Sequence, residues 1–264
     1  VERRAFNINI NINNKREVSM KQEDLGVNTT APLTNVSLCM RALERAVNRP
    51  AHLPGFVAFY GPSGWGKTTA AAYAANAFRA YAVEAKSTWT KKAFALAILK
   101  EMGIRPAATV YEMIDQVSEQ LVRSGRPLII DEFDHIVEKN NVELVRDIFE
   151  GSNSPILLIG EEGLENHLRR WERFHNRILD WVPAQPASVA DAGHLRTLYC
   201  RNVRVEDDLL ERVHAISKGA ARRICVNLEL VHETARAEGL DAIDLAAWGD
   251  RPFYTGEAPP RRPR

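Results

Sequence analysis

Cysteine is scarce in this chain: Cys39, Cys200 and Cys225 are the three among 264 residues, with no CxxC pair and no histidine at ligand spacing. That excludes a disulfide framework and a zinc finger, and makes a reducing cytoplasm, that of a bacterial host, the expected compartment. Long hydrophobic runs are missing as well. No stretch approaches the roughly 18 apolar residues of a membrane span, and the N-terminal stretch lacks the apolar segment of a secretory signal, so no membrane partner is expected. Net charge is nearly absent, +1 from 35 Lys+Arg against 34 Asp+Glu. At face value this speaks against a protein that works on nucleic acid. The total conceals segregation: residues 79–105 carry six basic and two acidic side chains, and residues 131–165 two basic and ten acidic ones. What is present in quantity is apolar surface, 45% of residues, enough for a buried core in one or two domains.

The ends differ from the middle. Phe6–Asn14 (FNINININN) is of low complexity, and residues 1–29 read as a poorly ordered leader with Met20 as the candidate natural start. Residues 250–264, with RPFYTGEAPPRRPR, read as an extended basic tail.

Between them strands alternate with helices, the pattern of a parallel sheet covered on both faces. Apolar strands are expected at Phe56–Tyr60, Ala80–Ala85, Pro127–Asp131 and Pro155–Gly160, with a fifth at Ile178–Val182. Helices are expected at Lys67–Arg79, Thr90–Met102, Val110–Ser124, Val142–Glu150 and over Glu162–Arg177. Thr109 and Glu112 form a capping-box pattern before Val110, and Gly125 stops that helix. From Ser188 the signals are helical only: a helix capped by Ser188 with Asp191, then Glu206–Lys218, Ala220–Glu238 and Leu240–Trp248. Pro183 and Pro186 mark the hinge between an α/β domain, residues 30–184, and a small helical lid, residues 185–249.

The strongest chemical signal is Gly61-Pro62-Ser63-Gly64-Trp65-Gly66-Lys67-Thr68, followed by Thr69. It matches GxxxxGK[ST] between an apolar strand and a helix, the context that motif requires. Residue frequencies produce such a match by chance in about one chain in a hundred of this length. The glycines allow a tight turn whose N–H groups, with the helix N-terminus, face a phosphate. Lys67 offers a point charge to the β- and γ-phosphates and Thr68 a hydroxyl to Mg²⁺, while Trp65 occupies a free position suited to packing. Further on, Leu128-Ile129-Ile130-Asp131-Glu132 ends a buried strand in two carboxylates. One can hold Mg²⁺ and the other orient or deprotonate water, so ATP with Mg²⁺ is the expected ligand and β–γ hydrolysis the expected reaction. Asp134 is a candidate outer partner.

On GPSGWGKT, LIIDEFD, PILLIG, RRWERFHNRI and GAARR the chain resembles AAA+ ATPases over about residues 30–248. Within them it looks most like the target-selecting transposition ATPases, the bacteriophage Mu transposition protein B, TnsC and TniB type. The resemblance implies an AAA+ P-loop NTPase with a five-stranded parallel sheet and a helical lid. It also implies an arginine that reaches a neighbour's nucleotide, Arg173 or Arg177, and a lid sensor arginine, Arg222, with Arg223 its rival. It places Lys86, Lys91 and Lys92 toward double-stranded DNA in a ring or filament channel, where phosphate contacts bind duplex without sequence preference. The function implied is a DNA-binding ATPase that forms a homo-oligomer on target DNA and recruits a transposase, the Arg-rich tail being a candidate contact. A helicase loader or replication-initiator ATPase is the first alternative, and a switch that does not act on DNA the second. One departure stands out: after PILLIG these ATPases present a polar Asn or Thr toward the γ-phosphate, whereas Glu161 and Glu162 follow here.

Overall fold

The structure, a computed structural model, describes residues 33–257. The expected leader, residues 1–29, and the last residues of the expected tail lie outside that range. Helix α1 (Thr34–Val47) precedes strand β1 (Phe56–Tyr60), α2 (Lys67–Phe78), β2 (Tyr81–Glu84), α3 (Lys91–Glu101) and α4 (Val110–Ser124). Then come β3 (Leu128–Asp131), α5 (Asp134–Glu138), α6 (Val142–Ser152), β4 (Ile156–Gly160), α7 (Leu164–Leu168), α8 (Glu172–His175) and β5 (Ile178–Pro183). The rest comprises α9 (Val189–Tyr199), β6 (Arg204–Val205), α10 (Asp207–Ser217), α11 (Ala221–Ala237), β7 (Ala242–Ile243) and α12 (Leu245–Trp248).

The five long strands form one parallel sheet in the order β2-β3-β4-β1-β5. Parallel strands bury both faces, which is why β1, β3 and β4 are apolar almost without interruption. Alternate residues of β1 serve two cores. Val57 and Phe59 pack with α1, α2 and the lid helices, and Phe56 and Ala58 pack with α3, α4 and α6. Phe56 stacks on Phe174 with ring centroids 4.4 Å apart, which ties α8 under the sheet.

Helix α4 starts and stops on local chemistry. Thr109 and Glu112 make both bonds of a capping box, and Gly125 ends the helix at φ 63°. Ser188 and Asp191 do the same for α9. The stretch Glu162–Arg177, expected as one helical run, is divided into α7 and α8 because Trp171 leaves the helical region at φ −106°, ψ 64°. The helix expected over Leu240–Trp248 is replaced by β7 and α12: Ala242 and Ile243 pair in parallel with Arg204 and Val205, and Asp244 caps the single turn that follows. Helix α1, for which no element was expected, buries Val36, Cys39, Ala42, Leu43 and Ala46 along one face.

The stretch Arg251–Glu257, expected within an extended tail, is pinned to the lid. Tyr254 donates its N–H to Asn227 Oδ1 at 2.7 Å and accepts from Asn227 Nδ2 at 3.0 Å, while Phe253 stacks on Trp248. Among the described residues no helix is long and apolar enough to cross a membrane. All three cysteines are free, and burial holds each thiol above its ordinary pKa, Cys39 at about 12.

Candidate functional site

The carboxyl ends of β1, β3 and β4 meet at one edge of the sheet, where parallel α/β folds place their ligands. The loop from Gly61 to Gly66 leaves β1 there and feeds α2. Gly61 admits no side chain, since a Cβ on it would lie 2.9 Å from that of Ala184. Gly66, the residue before α2, takes φ 82°, a left-handed conformation that glycine adopts without strain. Lys67 is buried at the head of α2, and its Nζ donates to the carbonyls of Gly61 at 2.6 Å and Pro62 at 3.0 Å. Trp65 packs into the core beside α1 and α2, as its free position suggested, and its carbonyl accepts from Asn35 at 2.8 Å.

Two carboxylates follow β3. Asp131 is buried and its Oδ1 accepts the Glu132 N–H at 2.8 Å. Glu132 sits at φ 53°, an uncommon conformation for a residue with a Cβ, which turns the chain sharply at the strand end. Burial first, then the charges of Asp131 and Glu161, hold its carboxyl above the usual carboxylate range. Beyond β4, Glu161 Oε1 stands 3.8 Å from Lys67 Nζ. Its N–H donates to Asp134 Oδ2 at 2.6 Å, so Asp134 acts on the β4 end and not directly on the cavity. Of the remaining acids of the negative block, Glu143, Asp147 and Glu150 pair with Arg146 on α6.

A cavity of about 350 Å³ joins these parts. Ser63, Gly64, Gly66, Lys67, Thr68 and Thr69 line one side, Glu132 and Glu161 one end, and Leu33, Leu195, Leu198, Tyr199, Cys225 and Val226 the apolar remainder. Its lid wall is fastened to the loop: Arg222 donates its N–H to the Gly64 carbonyl at 3.0 Å. The start of α1 fastens the third corner. Asn35 Nδ2 also donates to Gln185 O at 2.8 Å, its Oδ1 accepts from Gln185 N–H at 2.8 Å, and Thr34 donates to Asp191 through both its N–H and its hydroxyl. Apart from Asp191, which caps α9 with Ser188, these junction and apolar residues carry no motif. The only signal for them was the apolar spacing of Val36, Cys39 and Leu43, which marks a helix but not its contacts.

Of the residues expected at the site, Gly61, Pro62, Trp65 and Asp131 support the cavity without lining it, and Arg222 lines it. Arg223 lies instead against Gly256. Arg177 is paired with Glu150 and with the Arg173 carbonyl, while Arg173 is exposed and its side chain has no partner among the described residues. Neither reaches this chain's own cavity. Lys86, Lys91 and Lys92 are exposed around the turn between β2 and α3, at the carboxyl end of the edge strand, and Lys92 Nζ donates to Ala108 O at 3.3 Å.

A glycine-rich loop after β1, a lysine at the helix head, paired acids at the end of β3 and a helical lid define a P-loop NTPase of the AAA+ type. The family described as "AAA domain" matches residues 34–168, just over half of the chain, and the chain belongs to it. No curated protein matches the sequence. Among solved structures the chain is similar to the ORC2 protein of Aeropyrum pernix in its ADP form, at TM-score 0.61 and 19% identity over 79% of this chain and 64% of that one. It is similar to the Aeropyrum pernix ORC1 protein in complex with DNA, at TM-score 0.57 and 20% identity over 79% and 61%. The Thermotoga maritima RuvB Holliday junction branch migration motor gives TM-score 0.57 and 20% identity over 82% and 67%. The chain thus spans less than two thirds of the two ORC proteins.

These likenesses correct the transposition expectation. The folds that resemble this one are those of ORC and RuvB proteins, so the assignment to the Mu B, TnsC and TniB type, the transposase partner and the mobile-element role are withdrawn. At such identity the likeness speaks for the fold.

Proposed function

We propose that this chain is a Mg²⁺-dependent ATPase of the replication-initiator or helicase-loader kind, acting on duplex DNA as a homo-oligomer. The observation that carries the nucleotide part is one cavity with a phosphate-suited side and an apolar side. Strand order sets its polarity. Strand β1, which feeds the loop, has β4 on one flank and the edge strand β5, which leads to the lid, on the other. The apolar lid wall suits a purine base, and the α2 N-terminus with the Gly64 to Thr68 backbone suits phosphates. Glu132 and Glu161 then border the terminal phosphate.

The residues present fit ATP and Mg²⁺. The loop is a glycine cradle that a Cβ would disturb, and Lys67 is a buried cation held only by two neutral carbonyls and a more distant carboxylate. Among the described residues no group of three or more His, Cys, Asp or Glu side chains could hold a metal ion. Thr68 and Asp131 would hold Mg²⁺ jointly with phosphate oxygens and water. Bound Mg²⁺ would neutralise charge on the transferring phosphoryl group. Glu132 takes the proton of the attacking water, Arg222 reaches the phosphates from the lid, and Arg173, exposed where Arg177 is held by Glu150, serves the site of a neighbouring copy. Lys86, Lys91 and Lys92 contact DNA phosphates. Support for the DNA part comes from these three exposed lysines and from the likeness to an ORC1 protein solved with DNA. Phosphate release measured with and without duplex DNA tests the whole: the rate rises with DNA, and a rate indifferent to DNA removes the nucleic-acid part.

A further inference from the structure

Glu161 puts a carboxylate at the phosphate-suited part of the cavity, beside Lys67, and the fold holds it firmly in that place. Its N–H is bound by Asp134 at 2.6 Å, and Asp134 can approach only because Gly160 has no side chain, a Cβ there lying 2.6 Å from Asp134 Oδ2. The Glu161 side chain is 47% exposed and so has no packing task. It lines the cavity at the end of β4 and meets Lys67 Nζ at 3.8 Å. Glu162, one residue on, is exposed and does not line the cavity.

Building on the ATP-site reading above, we propose that Glu161 biases this site toward nucleoside diphosphate over triphosphate. A β-phosphate bound by the loop can share Lys67 with Glu161. A γ-phosphate must enter the space that Glu132 and Glu161 border, adding charge beside two carboxylates, a repulsion that the half-exposure of Glu161 screens only in part. The site thus holds its product well and takes up its substrate reluctantly. Displacing or neutralising Glu161 then speeds turnover.

The test is titration of the full-length chain with Mg²⁺ and either ADP or the β,γ-imido analogue of ATP, by calorimetry, for the parent, Glu161→Gln and Glu161→Asp. Glu161→Gln is expected to tighten the triphosphate analogue about tenfold and ADP by less than about twofold. Glu161→Asp, which keeps the charge, is expected to stay near the parent's ratio. Equal tightening of both nucleotides by Glu161→Gln, or no change in either, overturns the bias. A parent chain that binds neither nucleotide overturns the ATP-site reading itself, and this one with it.

Discussion

The N–H of Arg222, at the start of α11, donates to the carbonyl of Gly64 in the phosphate loop at 3.0 Å. The lid is therefore bonded to the backbone that would wrap a phosphate, and its arginine side chain is carried to the same cavity. Changing Arg222 to Ala leaves this backbone bond intact but removes the charge. The expected outcome is triphosphate binding weakened by about tenfold, with melting temperature changed little, read by titration and thermal unfolding.

Lys67 is the site's buried cation. Lys67→Ala is expected to weaken ATP binding on the order of a hundredfold, since a buried charge-assisted phosphate contact is lost. Equilibrium binding of a fluorescent ATP analogue measures this directly.

Asn35 makes three hydrogen bonds from a nearly buried position, to the Trp65 carbonyl and to both backbone groups of Gln185. Asn35→Ala leaves these groups without their partner, at a cost of about 1–3 kcal/mol in stability. Denaturant unfolding gives that number, and nucleotide affinity is expected to fall with it because the loop loses its anchor.

Asp191 carries a different pH signature. Burial works against its charge, but the donors of Ser188 and Thr34 outweigh it and hold the carboxyl below its ordinary value. A depressed carboxylate stabilises the fold above the unfolded-state pKa and loses that contribution as pH falls through the folded one. Asp191→Asn is therefore expected to flatten the loss of stability on acidification, as seen in melting temperature against pH.

Glu132 shows the opposite sign. Its carboxyl titrates above the usual carboxylate range, first through burial and then through Asp131 and Glu161. As a base it works only when ionised, so the acid limb of the rate profile is expected above the pH of an ordinary glutamate. Removing the nearby charge with Glu161→Gln moves that limb toward lower pH.

The three lysines after β2 make a separate claim. Reversing Lys86, Lys91 and Lys92 to Glu is expected to reduce the slope of log affinity for duplex DNA against log salt by roughly two to three, while ATP binding is kept. Filter binding across a salt series reads both affinity and slope.

Much of this architecture was legible because it is written locally. The strand Phe56–Tyr60, the loop into Lys67 and the acids after Ile130 announce themselves by apolar runs, glycine spacing and carboxylates, and Thr109, Glu112 and Gly125 mark both ends of one helix. Less legible were features that depend on distant partners. The α1 helix matters through the contacts of Thr34 and Asn35 with the lid and the loop. The β6 and β7 strands have two residues each and exist only as a pair, and the apolar wall from Leu195 to Val226 becomes a cavity wall only when the lid folds over. Trp171 breaks an otherwise helical stretch with no glycine or proline to announce it. The choice of relatives failed for a further reason: the phrase around Glu161 and Arg173 is short, and the fold it belongs to is shared widely.

The most direct test is phosphate release from Mg²⁺ and ATP by the full chain beside its Lys67→Ala and Glu132→Gln variants. The parent is expected to release phosphate, Glu132→Gln to bind ATP yet turn over some 10²- to 10⁴-fold more slowly, and Lys67→Ala to bind ATP on the order of a hundredfold more weakly. A parent that releases no phosphate, or a Glu132→Gln variant as fast as the parent, contradicts the assignment of this cavity as an ATPase site.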